Sequence, residues 1–214
     1  MSQVRPARAR KKARRRPSST IALRVSLNRT GMWIGPEAFW WLCRENPDMR
    51  LERTAKGELI AMPPAGSESG MRNFDLTTQL GVWSKADGRG VGFDSSAGFT
   101  LPDGAVRAPG AAWIVRERWE VVPPPLRKRF APICPDFVVE LTSPSDKRLD
   151  DLRLKMRRYL KNGARLGWLL DPPSGLVEVY RPDRAMQAFD RPATISGEDV
   201  LPGFALDLRG TLFD

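Results

Sequence analysis

The sequence predicts an α/β (α+β) fold with one mixed central sheet flanked by helices. Three observations lead there. Apolar periodicity changes along the chain in the order helix, hairpin, helix, several strands, helix, two strands. Phe137–Leu141 is a short, nearly continuous apolar run, the pattern of a central strand buried on both faces. The 214 residues are 41% hydrophobic and 28% charged, enough apolar material for one substantial core.

Each element has its own signal. Pro36 after Gly35 opens a helix over 36–47, with Phe39, Trp40, Leu42 and Cys43 as its apolar face. Leu51–Thr54 and Glu58–Met62 flank Ala55-Lys56-Gly57 and read as a hairpin, ended by Pro63-Pro64. Ser67 or Ser69 caps a helix running to about Lys85, with Met71, Phe74, Thr78 and Leu80 along one side. Strands over 91–101 and 105–115 are joined by the turn Pro102-Asp103-Gly104. Pro123-Pro124-Pro125 with Arg127, Lys128 and Arg129 reads as a loop. After the strand Phe137–Leu141, the segment Ser143-Pro144-Ser145-Asp146 offers helix caps. Leu149, Leu152, Met156, Tyr159 and Leu160 then recur at helical spacing until Asn162-Gly163. Leu166–Leu170 and Leu176–Tyr180 are partner strands across the turn 172–175, and short strands finish the chain.

Charge divides the chain into a basic arm, 1–30, and a body, 31–214. The arm holds ten Lys/Arg and no acid, so the net charge of +10 is carried by the arm and the body is formally neutral. Arg10, Lys11, Lys12, Arg14, Arg15 and Arg16 suit salt-sensitive phosphate contacts that carry no sequence information. A solvated tail and an organelle address are the alternatives for the same composition. Cys43 and Cys134 have no metal-ligand spacing and suit a reducing, cytoplasmic setting. No apolar run approaches the ~18 residues of a membrane span. The chain contains no histidine. That excludes Ser-His-Asp and Cys-His catalysis, histidine-ligated zinc and a histidine general base. Any metal must be held by oxygen ligands, which favours Mg²⁺ or Mn²⁺.

Glu140 is the first candidate site residue. Alternation places Asp136, Val138, Glu140 and Thr142 on one face of their strand. A carboxylate beside Val138 is costly without compensation, so Glu140 is either paired with a cation such as Lys155 or is a metal ligand. Lys155 lies at the margin of the next helix's apolar stripe, where it either snorkels to the surface or reaches the end of the strand.

Several separated blocks then carry a resemblance: Leu51–Met62 (LERTAKGELIAM), Ser69–Trp83 (SGMRNFDLTTQLGVW), Phe93–Trp113 (FDSSAGFTLPDGAVRAPGAAW), Cys134–Asp146 (CPDFVVELTSPSD), Asn162–Pro172 (NGARLGWLLDP) and the closing LPGFALDL. In this order they resemble the Uma-type restriction endonucleases of the PD-(D/E)XK nuclease superfamily. The resemblance covers the chain from about Trp33 onward. It implies a restriction-endonuclease-like fold, a carboxylate cluster that binds Mg²⁺ or Mn²⁺, hydrolysis of phosphodiesters in DNA, and a homodimer. Glu52 matches the family's early glutamate, Glu140 the acidic residue of the (D/E)XK strand, and Lys155 the basic residue, supplied here from the following helix. Such a lysine would orient the attacking water or stabilise charge on the phosphate.

One position departs from the pattern. Where the family has Pro-Asp, this chain has Pro109-Gly110, and that Asp is the superfamily's central metal ligand. Asp103 sits in a turn, and Asp136 lies roughly 13 Å along the strand from Glu140. Asp94, expected across from about Trp113, is the neighbouring candidate for the vacancy. The metal is therefore expected to be weakly bound or absent. Two readings stay open: an endonuclease with impaired activity, and an inactive pseudo-nuclease that binds nucleic acid or a protein. A third is an assembly module in which Trp33, Trp40 and Trp41 form a contact surface.

Overall fold

A computed structural model describes residues 33–62, 64–142, 149–210 and 212–213. The basic arm with Arg10, Lys11, Lys12, Arg14, Arg15 and Arg16 lies outside the described residues, as does Ser143-Pro144-Ser145-Asp146. Along the chain the elements are α1 (Pro36–Glu45), β1 (Arg50–Arg53), β2 (Leu59–Met62), α2 (Ser67–Asp87), β3 (Gly90–Phe93), β4 (Phe99–Thr100), β5 (Val106–Arg107) and β6 (Ala111–Val115). There follow α3 (Arg116–Val121), α4 (Pro124–Arg127), β7 (Phe137–Leu141), α5 (Leu149–Lys161), β8 (Leu166–Asp171), β9 (Leu176–Tyr180), β10 (Gln187–Asp190), β11 (Thr194–Ser196) and β12 (Ala205–Asp207).

The central sheet has six strands in the order β10-β9-β8-β7-β6-β3. It is mixed: β7 and β8 run parallel, joined through α5, and the other neighbours are antiparallel. Strand alternation sends Phe137 and Val139 into one core cluster with Leu76 and Leu80 of α2 and Trp168 of β8. Val138 enters the opposite cluster with Met156 and Tyr159 of α5. Each such buried side chain contributes roughly 1.5–3 kcal/mol of apolar transfer. The helix α5 approaches β8 closely: a β-carbon on Gly167 would stand 2.4 Å from Cε of Met156. A side chain there would have to displace the end of Met156.

A second sheet, β2-β1-β5-β4, lies beside the first, and β11 and β12 form a third. The second sheet changes the expected strands. The run 91–101 is interrupted after Phe93 by a turn at Ser95-Ser96, so its halves fall in different sheets. The run 105–115 divides in the same way at 108–110. The hairpin around Pro102-Asp103-Gly104 therefore joins β4 to β5, with Gly104 at φ 84°. The triple proline opens a helical turn, α4, because the fixed φ of Pro124 suits a first helical position.

Two further expectations change. No side chain caps α2; Gly66 precedes it, and Gly88 closes it in the left-handed conformation. Its buried residues are Ser69, Leu76, Leu80 and Ser84, while Met71 and Phe74 are exposed. Leu76 and Leu80 enter the core and Ser84 lies against Gly92 of β3, while Met71 and Phe74 turn outward. Of the three tryptophans, Trp40 packs edge-on against Phe130 with ring centres 5.2 Å apart, and Trp33 and Trp41 are exposed. Among the described residues no helix is long and apolar enough to cross a membrane.

Candidate functional site

The site forms where the two sheets meet α5. Register builds its first half. Arg53 pairs with Val106 in the antiparallel β1–β5 ladder, which sets Glu52 opposite Arg107 on one face. Nη1 of Arg107 donates to Oε2 of Glu52 at 2.8 Å, and the amide of Ala108 donates to its Oε1 at 2.9 Å. The second half comes from the central sheet. Glu140 shares a face with Val138, which packs under α5, so the carboxylate is carried toward that helix.

Lys155 joins the halves. Its Nζ lies 2.7 Å from Oε1 of Glu52 and 2.7 Å from Oε1 of Glu140, and it donates to the carbonyl of Ala108 at 3.1 Å. These three acceptors use all three N–H donors of the ammonium. The hydroxyl of Tyr159 donates to Oε1 of Glu140 at 3.2 Å. Glu52, Glu140, Lys155 and Arg107 are all buried, at 9% exposure or less. Two negative and two positive groups therefore balance in a nearly dry site.

Their proton affinities follow from that arrangement. Burial raises the Glu140 carboxyl above its ordinary 4.5, and the neighbouring charge of Glu52 adds to the rise against the pull of Lys155 and Tyr159. Burial also acts upward on Glu52, but Lys155 and Arg107 outweigh it and hold that carboxyl below 4.5. Burial acts downward on Lys155, yet the two glutamates outweigh it and hold the ammonium above its ordinary 10.5.

Gly110 lies at the edge of this group. A β-carbon there would meet the carbonyl oxygen of Val139 at 3.1 Å and Oδ1 of Asn73, from α2, at 3.2 Å. Gly110, Glu140, Lys155, Asn73 and Asp94 line one cleft of about 450 Å³. Asp94 sits nearer position 110 than counting from the hairpin suggested. Phe93 pairs with Ala112, so Asp94 falls just beyond the last paired residues and not opposite Trp113. Its Oδ1 accepts from the amide of Ser96 at 3.0 Å and from the Ser96 hydroxyl at 2.6 Å, which holds the carboxylate in its own turn. Asp136 is at the other end of β7, bound by Arg118 at 2.6 Å and by the amide of Val115 at 2.9 Å. Asp103 accepts from Ala105 within its hairpin and lies 3.6 Å from Arg158. Among the described residues no three of His, Cys, Asp and Glu are grouped as a cation would need.

Glu52, Glu140 and Lys155 are thus brought together, with Gly110 beside them and Asp94 across the cleft. Arg107, Tyr159 and Asn73 complete the surroundings and were not singled out in the sequence. Arg107 meets Glu52 only through a pairing of strands 55 residues apart, for which a single sequence holds no local signal. Tyr159 is hidden among core residues at helical spacing.

The same elements recur in known proteins. The model of the Uma2 family, described as "Putative restriction endonuclease", matches residues 36–209. A crystal structure titled as a putative nuclease belonging to DUF820 from Anabaena variabilis ATCC 29413 aligns with a TM-score of 0.63 and 21% identity, covering 76% of this chain and 89% of that one. At that identity the likeness speaks for the fold. Comparison with curated proteins returned no match. With a nuclease fold, and with the family's pattern running from the first helix to the closing strands, the chain belongs to the Uma2 family of restriction-endonuclease-like proteins.

Proposed function

We propose that this chain uses its nuclease fold to bind DNA and does not cut it. The observation that carries this is Lys155 closed on Glu52 and Glu140 at 2.7 Å each, beside a Gly110 that offers no third carboxylate. Mg²⁺ and Mn²⁺ demand several oxygen ligands in near-octahedral order. Here the two carboxylates are already neutralised by Lys155 and Arg107, and Asp94 is engaged by Ser96. The residues present do not fit a divalent ion of this class. Of the two readings left open by the sequence, the non-cleaving one is the better supported.

DNA enters the proposal through the family and through the basic arm of residues 1–30 on a neutral body. A homodimer belongs to the same proposal, supported by the exposed Trp33 and Trp41. Light scattering of the full chain reads that state.

The test is plasmid nicking beside DNA binding. The full chain is expected to bind duplex DNA with steep salt dependence and to leave supercoiled plasmid intact in Mg²⁺ or Mn²⁺. Deleting residues 1–30 lowers the salt slope by roughly one for each phosphate that the arm neutralises. Metal-dependent nicking by the wild type, abolished in Glu140→Gln, sinks the non-cleaving reading. Absence of salt-sensitive binding sinks the DNA reading.

A further inference from the structure

Beside the carboxylate site, sharing Arg107 and Ala108 with it, lies a further cavity of about 390 Å³. Its walls are apolar, with Met49, Met62 and Phe130 among them, and two arginines, Arg50 and Arg107, line it with no Asp or Glu. Two other cavities among the described residues each have Asp94 in their walls. This one alone among the three presents cations to its contents without a carboxylate.

Arg107 is the second observation. It is 7% exposed and reaches Glu52 through Nη1, while its Nε is buried without a hydrogen-bond partner. A buried guanidinium with an unused N–H is costly, and native structures leave few such groups. Arg107 lines the cavity, and a guanidinium fork suits a phosphate. Arg50 shares the face of Glu52 and Arg107, is exposed, and holds the Ser95 carbonyl at 3.3 Å. Cys43 also lines the cavity; burial pushes its thiol up to about 11, so it adds no competing negative charge. The Ser96 hydroxyl is already given to Asp94.

Shape adds the rest. The volume falls within the roughly 300–1,000 Å³ of ligand cavities, and apolar walls with a few polar groups are their usual make-up. Arg50, Met62, Ser95 and Ala108 line both this cavity and the cleft of Gly110 and Glu140, so the two are continuous.

We infer that this cavity is a nucleotide site: Arg50 and Arg107 hold a phosphate, and the apolar walls around Met49, Met62 and Phe130 hold the attached nucleoside. The source is either one nucleotide of a bound strand, which rests on the DNA reading above, or a free mononucleotide, which does not.

The experiment is calorimetric titration of the full chain with thymidine 5′-monophosphate, thymidine and inorganic phosphate, beside anisotropy with a labelled single strand and a duplex. The monophosphate is expected to bind more tightly than either fragment. Arg50→Gln, at an exposed position, is expected to weaken it about tenfold, as expected for removing one charge-assisted hydrogen bond. The pair Glu52→Gln/Arg107→Gln removes both buried charges together and weakens it further. Thymidine or phosphate binding as tightly as the monophosphate overturns the inference, as does unchanged affinity in Arg50→Gln. If the monophosphate binds and neither DNA does, the site stands with a free nucleotide as its ligand and the DNA reading falls. If DNA binds equally to wild type and Arg50→Gln while the monophosphate does not bind, the site falls and the DNA reading stands.

Discussion

Oδ1 of Asn73 lies 3.2 Å from the point where a β-carbon on Gly110 would stand. Together with the Val139 carbonyl, 3.1 Å from the same point, it leaves less room than a side chain ordinarily finds. The space beside Gly110 is thus partly closed by the neighbouring helix and strand. The backbone of Gly110 does not lie in the left-handed region, so crowding and not conformation opposes a larger residue.

Gly110→Ala is therefore expected to destabilise by about 1 kcal/mol, the low end of overpacking costs. Asn73→Ala added to it should recover part of that stability, because the side chain of Asn73 can be removed and the Val139 carbonyl cannot. Urea unfolding of the four chains of this cycle measures the coupling. Strict additivity shows that Asn73 does not crowd position 110.

Gly110→Asp tests charge in place of volume. It adds a third carboxylate beside Glu52 and Glu140 and turns a balanced group of four charges net negative. Mn²⁺ is expected to raise the melting temperature of Gly110→Asp and to leave the wild type unmoved. At a hundredfold excess over Kd, binding adds about 2.7 kcal/mol, and each kcal/mol moves a chain of this length by roughly 2–4 °C. An equal Mn²⁺ shift in the wild type shows that the present residues do hold the ion.

How much of this was legible in the sequence depended on distance along the chain. Strand β7 was readable because a five-residue apolar run implies burial on both sides, and the face of Glu140 followed from alternation alone. The strands around 91–115 were not. Nothing local says that Asp94 leaves the ladder while Phe93 stays, since the break is imposed by the second sheet and by the Ser95-Ser96 turn. The side expected for α2 from helical spacing is buried only at Leu80. Met71 and Phe74 are exposed, and the helix meets β3 at Ser84 and the core at Leu76 and Leu80. Glu140 and Lys155 could be singled out from alternation and helical spacing, with their pairing as one alternative. Glu52 came only from the family blocks, because no periodicity joins it to residues of another sheet and a helix.

The two glutamates should give opposite pH dependences. Glu140 is raised above 4.5, so its folded form holds the proton more tightly and stability falls as pH rises from 4.5 through the folded value. Glu52 is lowered, so its contribution is present above 4.5 and is lost as pH falls through the folded value. Glu140→Gln is expected to flatten stability just above pH 4.5, and Glu52→Gln to flatten it just below. Because the Glu52 charge helps raise Glu140, Glu52→Gln also softens the upper limb. Unfolding in urea at half-unit pH steps reads both limbs; a wild type whose stability rises steadily from pH 4.5 to 7 contradicts the assignment for Glu140.

Lys155 should matter most for stability. Its ammonium is the shared partner of two carboxylates in a buried site, and Lys155→Met keeps much of the volume while removing the charge. Breaking a buried pair by deleting one partner costs about 3–5 kcal/mol, since the other charge is left uncompensated. Here two are left, and Arg107 still serves only Glu52. The orphan is Glu140, whose remaining side-chain donor is Tyr159. Lys155→Met/Glu140→Gln should therefore be more stable than Lys155→Met alone, by a margin that grows from pH 5 to pH 8 as the orphaned carboxyl is forced to ionise. If the double variant is less stable than Lys155→Met at pH 8, Glu140 is not the charge that Lys155 compensates.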